Sequence, residues 1–116
     1  MQELLEFQVS ANAEGHRVDV RGEVDMSSAG GLAEVLTQFV NGSVTVDISG
    51  VSFLDSSGLN ALVAAHKHIE RRNGSLTIVG ATWNVQRIFE VSGFDRILNV
   101  VRDDRAMPAS QSSRSR

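Results

Sequence analysis

The apolar residues change their spacing several times along the chain, from every second residue to about every 3.6 and back, and a chain with that rhythm must lay helices against a sheet. Leu5, Phe7, Val9 and Ala11 alternate with polar neighbours, as do Val18 and Val20 within Arg17–Arg21, so both stretches read as half-buried strands. Between them Asn12-Ala13-Glu14-Gly15 has hairpin-loop chemistry, because Asn and Gly tolerate the positive φ of such turns. From Ser27 to Val40 the period lengthens: Leu32, Val35, Leu36 and Phe39 share one helical stripe, with Ser27 or Ser28 as N-cap. The Gly30-Gly31 pair weakens its first turns by about 1 kcal/mol per glycine. Asn41-Gly42 stops the helix, and Val44, Val46 and Ile48 predict an inward-facing strand over Ser43–Ile48, followed by a polar break. Leu59, Leu62, Val63, His66 and Ile69 predict a second helix that ends in the basic turn and glycine of Arg71-Arg72-Asn73-Gly74. Leu76, Ile78 and Val79 mark another short strand. Val85, Ile88 and Phe89 mark a helix over Trp83–Val91, and Ile97–Val101 a last strand after Ser92-Gly93-Phe94. The order β-β-α-β-α-β-α-β implies an α/β sandwich with mixed strand directions, one sheet face being uncovered or thinly covered.

The 116 residues suffice for one core, expected over residues 1–102. Residues 103–116, with Pro108 among serines and arginines, are too polar to offset their ordering entropy and are expected as a disordered tail. The net charge of -3 leaves no basic footprint for nucleic acid, although residues 1–55 hold nine acids and two bases and residues 56–116 five acids and nine bases. No apolar run approaches the roughly 20 residues that cross a bilayer, and Met1–Phe7, with Glu3 and Glu6, does not read as a signal peptide. A cytoplasmic, membrane-free location is therefore expected. The absence of cysteine excludes disulfides, thiol nucleophiles and cysteine-based metal sites.

The informative stretch is Val51-Ser52-Phe53-Leu54-Asp55-Ser56-Ser57-Gly58-Leu59, which joins the third strand to the second helix. With Asp55 as N-cap, its carboxylate accepts N–H bonds from the first turn, and Leu54 packs on Leu59 as a hydrophobic staple. Ser56 then occupies the first helical position with its hydroxyl turned away from the core. Gly58 is expected to leave the backbone open to close approach by another molecule. Asp-Ser-Ser-Gly is equally what an ordinary helix start looks like, so spacing alone leaves capping and function as alternatives.

Together with Gly22-Glu23-Val24-Asp25, Val46-Asp47-Ile48-Ser49 and Val91-Ser92-Gly93-Phe94, this junction resembles the STAS-domain proteins of the anti-anti-sigma factor (anti-sigma factor antagonist) group, over roughly residues 4 to 102. The resemblance implies a mixed sheet with helices packed on one side and a serine after the aspartate, here Ser56, that a partner kinase phosphorylates. Ser57 offers a second hydroxyl beside it. It also implies that Asp25 lies in the partner-facing region, so Asp25, Asp55, Ser56, Ser57 and Gly58 are the expected partner-binding residues. The partners implied are an anti-sigma factor that is also a serine kinase of the GHKL ATPase type and a PP2C-like phosphatase. The chain departs from the family pattern at Asn60, where a small residue is frequent. It departs again at Asp103–Met107, where barely one turn of the usual last helix fits before Pro108, so that helix is expected to be vestigial.

No nucleotide cofactor is expected, since neither G-x-x-x-x-G-K-[ST] nor a strand-borne G-x-G-x-x-G occurs. A nucleophile system of Ser56, His66 and Asp55 fails on geometry, because ten residues along one helix separate Ser56 from His66 by about 15 Å, and G-x-S-x-G is missing. His66 and His68 are two apart and share no helix face, and His16 lies in another element, so no metal site is expected. The protein is thus not expected to be an enzyme. The competing reading keeps the fold without the serine switch, as a scaffold or a small subunit of a membrane transport assembly.

Overall fold

The structure, a computed structural model, describes residues 5–39 and 42–102. The expected tail and vestigial C-terminal helix at 103–116, and the expected end of the first helix at Val40 and Asn41, lie outside the described residues. Strands β1 (Glu6–Asn12) and β2 (Gly15–Val24) form the opening hairpin, followed by α1 (Ala29–Leu36), β3 (Ser43–Leu54), α2 (Ser56–Glu70), β4 (Ser75–Val79), α3 (Trp83–Ser92), a single 3-10 turn at Phe94–Arg96, and β5 (Asn99–Val100). The sheet order is β1-β2-β3-β4-β5, antiparallel between β1 and β2 and parallel thereafter. Three parallel crossovers step across the sheet in one direction, and such crossovers are almost invariably right-handed, so α1, α2 and α3 belong on the same face.

Burial follows this layout. Val18, Val20, Val44, Val46, Leu76 and Ile78 line the covered face and join Leu32 and Leu36 of α1, Leu62, Ala65 and Ile69 of α2, and Val85 and Phe89 of α3 in one core. The opposite face carries Arg17, Asp19 and Asp47. Asp19 and Asp47 are cross-strand neighbours, and Arg17 bonds to both carboxylates.

Several boundaries differ from the sequence reading. Strand β3 does not stop at Ile48 but runs to Leu54. Its pairing with β2 slips between Asp19 and Arg21 and again between Gly22 and Glu23. These bulges change the spacing of inward residues from two to three, so that Val51 and Leu54 follow Ile48 into the core. Helix α1 ends at Leu36, where the Thr37 hydroxyl donates to the Ala33 carbonyl at 2.8 Å. Phe39 lies beyond it, against the His16 ring at a centroid distance of 4.5 Å. At the end of α2, Asn73 and not Gly74 takes the left-handed conformation (φ 64), and the Gly74 N–H closes back on the Ile69 carbonyl at 3.0 Å. The last strand shrinks to Asn99–Val100 because the 3-10 turn takes up the chain before it.

Phe89 is fully buried (0 % exposed) and ties α3 to the sheet. Phe89→Ala is expected to lower the unfolding free energy by about 3–5 kcal/mol in urea denaturation. A loss below about 1 kcal/mol would show that α3 is not docked as described.

Candidate functional site

The paired ends of two parallel strands place the candidate residues. Val24 and Leu54 are cross-strand neighbours, so Asp25 and Asp55 leave the same edge of the sheet, at the carboxyl ends where α/β folds hold their sites. The Asp55 N–H donates to the Val24 carbonyl at 3.1 Å, continuing the pairing one residue past the strand. Asp55 is the N-cap of α2 in extended conformation, and its Oδ1 accepts from the Gly58 N–H at 3.1 Å. The expected cap is therefore the one that forms.

Ser56 is the first residue of α2 and is exposed, whereas Ser57 is half-buried. Among the described residues neither hydroxyl takes part in a hydrogen bond, in contrast to Ser27 and Ser28. Gly58 is buried, and the reason differs from the expected one. A Cβ there would lie 2.5 Å from Leu54 Cδ1 and 2.8 Å from Val24 Cγ1, so the glycine lets α2 close onto the strand ends of its own chain and opens no backbone to a partner.

Asp25 turns its carboxylate onto the segment that follows. Its Oδ1 accepts from the Ser27 N–H at 3.0 Å, the Ser27 hydroxyl at 2.8 Å and the Ser28 hydroxyl at 3.2 Å. The Ser27 hydroxyl is the largest cause holding the Asp25 carboxyl below its ordinary 3.8; desolvation opposes it and the remaining Ser27 and Ser28 bonds assist. The structure thus brings Asp25, Asp55, Ser56, Ser57 and Gly58 to one end of the sheet. Ion pairs lie elsewhere among the described residues, at Arg17, His66 and Arg102. His66 is turned away from that end, its Nε2 at 3.4 Å from Glu70 Oε1. No group of His, Asp or Glu among the described residues is arranged to hold a metal ion.

The sequence reading assigned no role to Met26 or to the ring of Phe53. Met26 is 82 % exposed directly after Asp25, and Phe53 is 46 % exposed two residues before Asp55. Each is an exposed apolar side chain flanking in sequence one of the two aspartates at the strand ends. The available signal was Met26 itself, an apolar residue in a turn with no stripe to join.

A family model described as Mlab, STAS domain, matches residues 7–101. The chain belongs to the STAS-domain family. Among curated proteins, this STAS chain is similar to the anti-sigma-B factor antagonist of Staphylococcus aureus, with 29% identity over 99 residues covering 83% of this chain and 92% of that protein. Among solved structures, it resembles an anti-sigma factor antagonist from Mycobacterium paratuberculosis with a TM-score of 0.76 at 21% identity, over 97% of this chain and 96% of that one. The Bacillus cell fate determinant SpoIIAA in its phosphorylated form gives 0.61 at 17% identity, over 87% and 96%. At these identities the structural likenesses establish the fold alone. No described helix is long and apolar enough to cross a membrane.

Two measurements check this geometry. Gly58→Ala is expected to cost about 1–3 kcal/mol of unfolding free energy through overpacking against Leu54 and Val24, the reverse of the gain of about 1 kcal/mol that a solvent-facing helical glycine would give. A stabilised variant would refute the internal role. For Asp25, a native value below 3.8 means that the carboxylate's contribution is complete above that pH and is lost as pH falls through the native value. The stability difference between wild type and Asp25→Asn, followed by urea unfolding against pH, should shrink below about pH 4. A difference that is independent of pH would contradict the hydrogen bonds described.

Proposed function

We propose that this protein is an anti-sigma factor antagonist: unmodified, it binds an anti-sigma factor that is also a serine kinase, thereby freeing the sigma factor, and phosphorylation at Ser56 switches it off. The observation that carries this reading is the exposed, uncommitted Ser56 hydroxyl at the first position of α2, beside Asp25 and Asp55 and the apolar Met26 and Phe53. In support stand the curated relatives named anti-sigma-B factor antagonist and a structural neighbour described in a phosphorylated form. The binding surface comprises Asp25, Asp55, Ser56 and Ser57. Gly58 serves it indirectly, by seating the helix start. The reverse reaction falls to a PP2C-like phosphatase, and the chain itself is substrate and ligand, without catalytic residues of its own.

The energetics favour a switch that acts at the contact surface. A phosphoserine carries a charge of about -1.5 to -2. At the start of α2 the helix dipole favours it by about 0.3–2 kcal/mol, while the neighbouring Asp55 opposes it by a similar amount, so the folded domain is nearly indifferent. Docked against a partner, the same dianion without a cation costs several kcal/mol, approaching the roughly 5.5 kcal/mol that moves a population from 1:99 to 99:1.

Incubation with Mg-ATP and the cognate anti-sigma kinase tests the site by mass spectrometry. One phosphate is expected on the wild type and on Ser57→Ala, and none on Ser56→Ala. Phosphate retained on Ser56→Ala but lost from Ser57→Ala would move the acceptor by one residue. A wild-type chain that remains unmodified would favour the scaffold or transport-subunit reading.

A further inference from the structure

We propose that the free edge of β1 is a self-association surface, on which a second copy of this chain pairs antiparallel about a two-fold axis at Val9. The sheet ends at β1 on one side and β5 on the other. Strand β5 is protected by its brevity, at two residues, whereas β1 runs seven residues and pairs with β2 without a break in register from Glu6 opposite Arg21 to Asn12 opposite Gly15. Apart from Glu6 at its start it carries no charge, and it has no proline and no bulge to blunt the edge.

The hydrogen-bond alternation decides which groups face outward. Asn12 stands opposite Gly15 across the two-residue Ala13-Glu14 turn, and the residues that flank a two-residue hairpin loop form an exchanging pair. In an antiparallel ladder such pairs alternate, so Glu6, Gln8, Ser10 and Asn12 turn their N–H and C=O groups toward β2. Phe7, Val9 and Ala11 turn theirs toward the open edge, where no described residue meets them. The side chains of the same residues are apolar and lie on the helix-bearing face, since Phe7 pairs with Val20 and Val9 with Val18. Phe7 is half-buried against the core, but the helices stop short of the other two: Val18 is 0 % exposed, its neighbour Val9 is 48 % exposed, and Ala11 is exposed as well.

The strand is complementary to itself. A two-fold axis at Val9 sets Val9 against Val9, Phe7 against Ala11 and Gln8 against Ser10, so that a large ring meets a small side chain and polar residues meet on the open face. Glu6 falls opposite Asn12, and no like charges oppose. This register engages the outward backbone groups of Phe7, Val9 and Ala11 from both copies, whereas centring the axis on Gln8 or Ser10 leaves some of them unpaired. The product is one sheet continuous through both copies, with the Val9 side chains packed across the axis. The contact is lateral and leaves the Ser56 end of each copy uncovered, so it stands independently of the phosphorylation reading.

The chain has no native cysteine, so one introduced thiol reports a single contact. Across an exchanging antiparallel pair the Cα atoms lie about 5.5 Å apart, within disulfide range. The full-length Val9→Cys protein is expected to cross-link to a covalent dimer under mild oxidation, while Val91→Cys, on the exposed flank of α3, stays monomeric. Sedimentation of the wild type should show a concentration-dependent dimer, and Val9→Lys, which sets like charges face to face at an exposed position, should sediment as a monomer, with a circular dichroism spectrum and melting curve that match those of the wild type at dilutions where the wild type is monomeric. A wild type that stays monomeric into the millimolar range overturns the proposal and leaves the edge to another segment of the chain or to a foreign strand. A dimer that survives Val9→Lys, or cross-linking no faster at residue 9 than at residue 91, overturns it equally.

Discussion

The pairing of the last residues of β2 and β3 is the constraint from which the rest of the molecule's working end follows. Val24 lies beside Leu54, the Asp55 N–H reaches the Val24 carbonyl, and α2 begins on the next residue, with Gly58 seated against both side chains. Each residue of an α-helix turns by about 100°, so a start displaced by one position would swing Ser56 toward the core or onto another flank. Two carboxylates, two strand ends and a missing Cβ thus combine to present one hydroxyl in one direction.

That arrangement separates what holds the domain together from what the end of the sheet offers to a partner. The core lies between the helices and one sheet face, and Ser56 contributes nothing to it. Asp25 spends its Oδ1 bonds on its own turn, and Asp55 caps its own helix. Both carboxylates are half-buried and are held by local bonds that need no partner. Charge added at such a place would, on the function proposed above, be felt mainly by a docked partner and little by the fold.

Much of this was legible in the residues. The hairpin, the helical stripes of α2 and α3 and the Asp55 cap follow from periodicity and capping chemistry, because each is a local preference that packing reinforces. The far half of β3 was not legible. Its bulges change the inward spacing from Ile48 to Val51 to Leu54, and a period-two reading ends where that begins. Gly58 was read as an opening for a partner because sequence shows a missing side chain without showing what occupies the space. Phe39 carries the α1 stripe in sequence, yet the helix ends before it, where ring contact with His16 takes over. In each case a contact between distant segments overrode a local pattern.

Calorimetric titration of the cognate anti-sigma kinase with the unmodified and the Ser56-phosphorylated chain, with a thermal melt of each form alongside, separates a switch at the contact surface from a change in the fold. Phosphorylation is expected to weaken binding by about 3 kcal/mol or more, roughly a hundredfold, while the melting temperature moves by less than about 5 °C. Equal affinities for the two forms, or a phosphorylated chain that loses its folded structure, would contradict it.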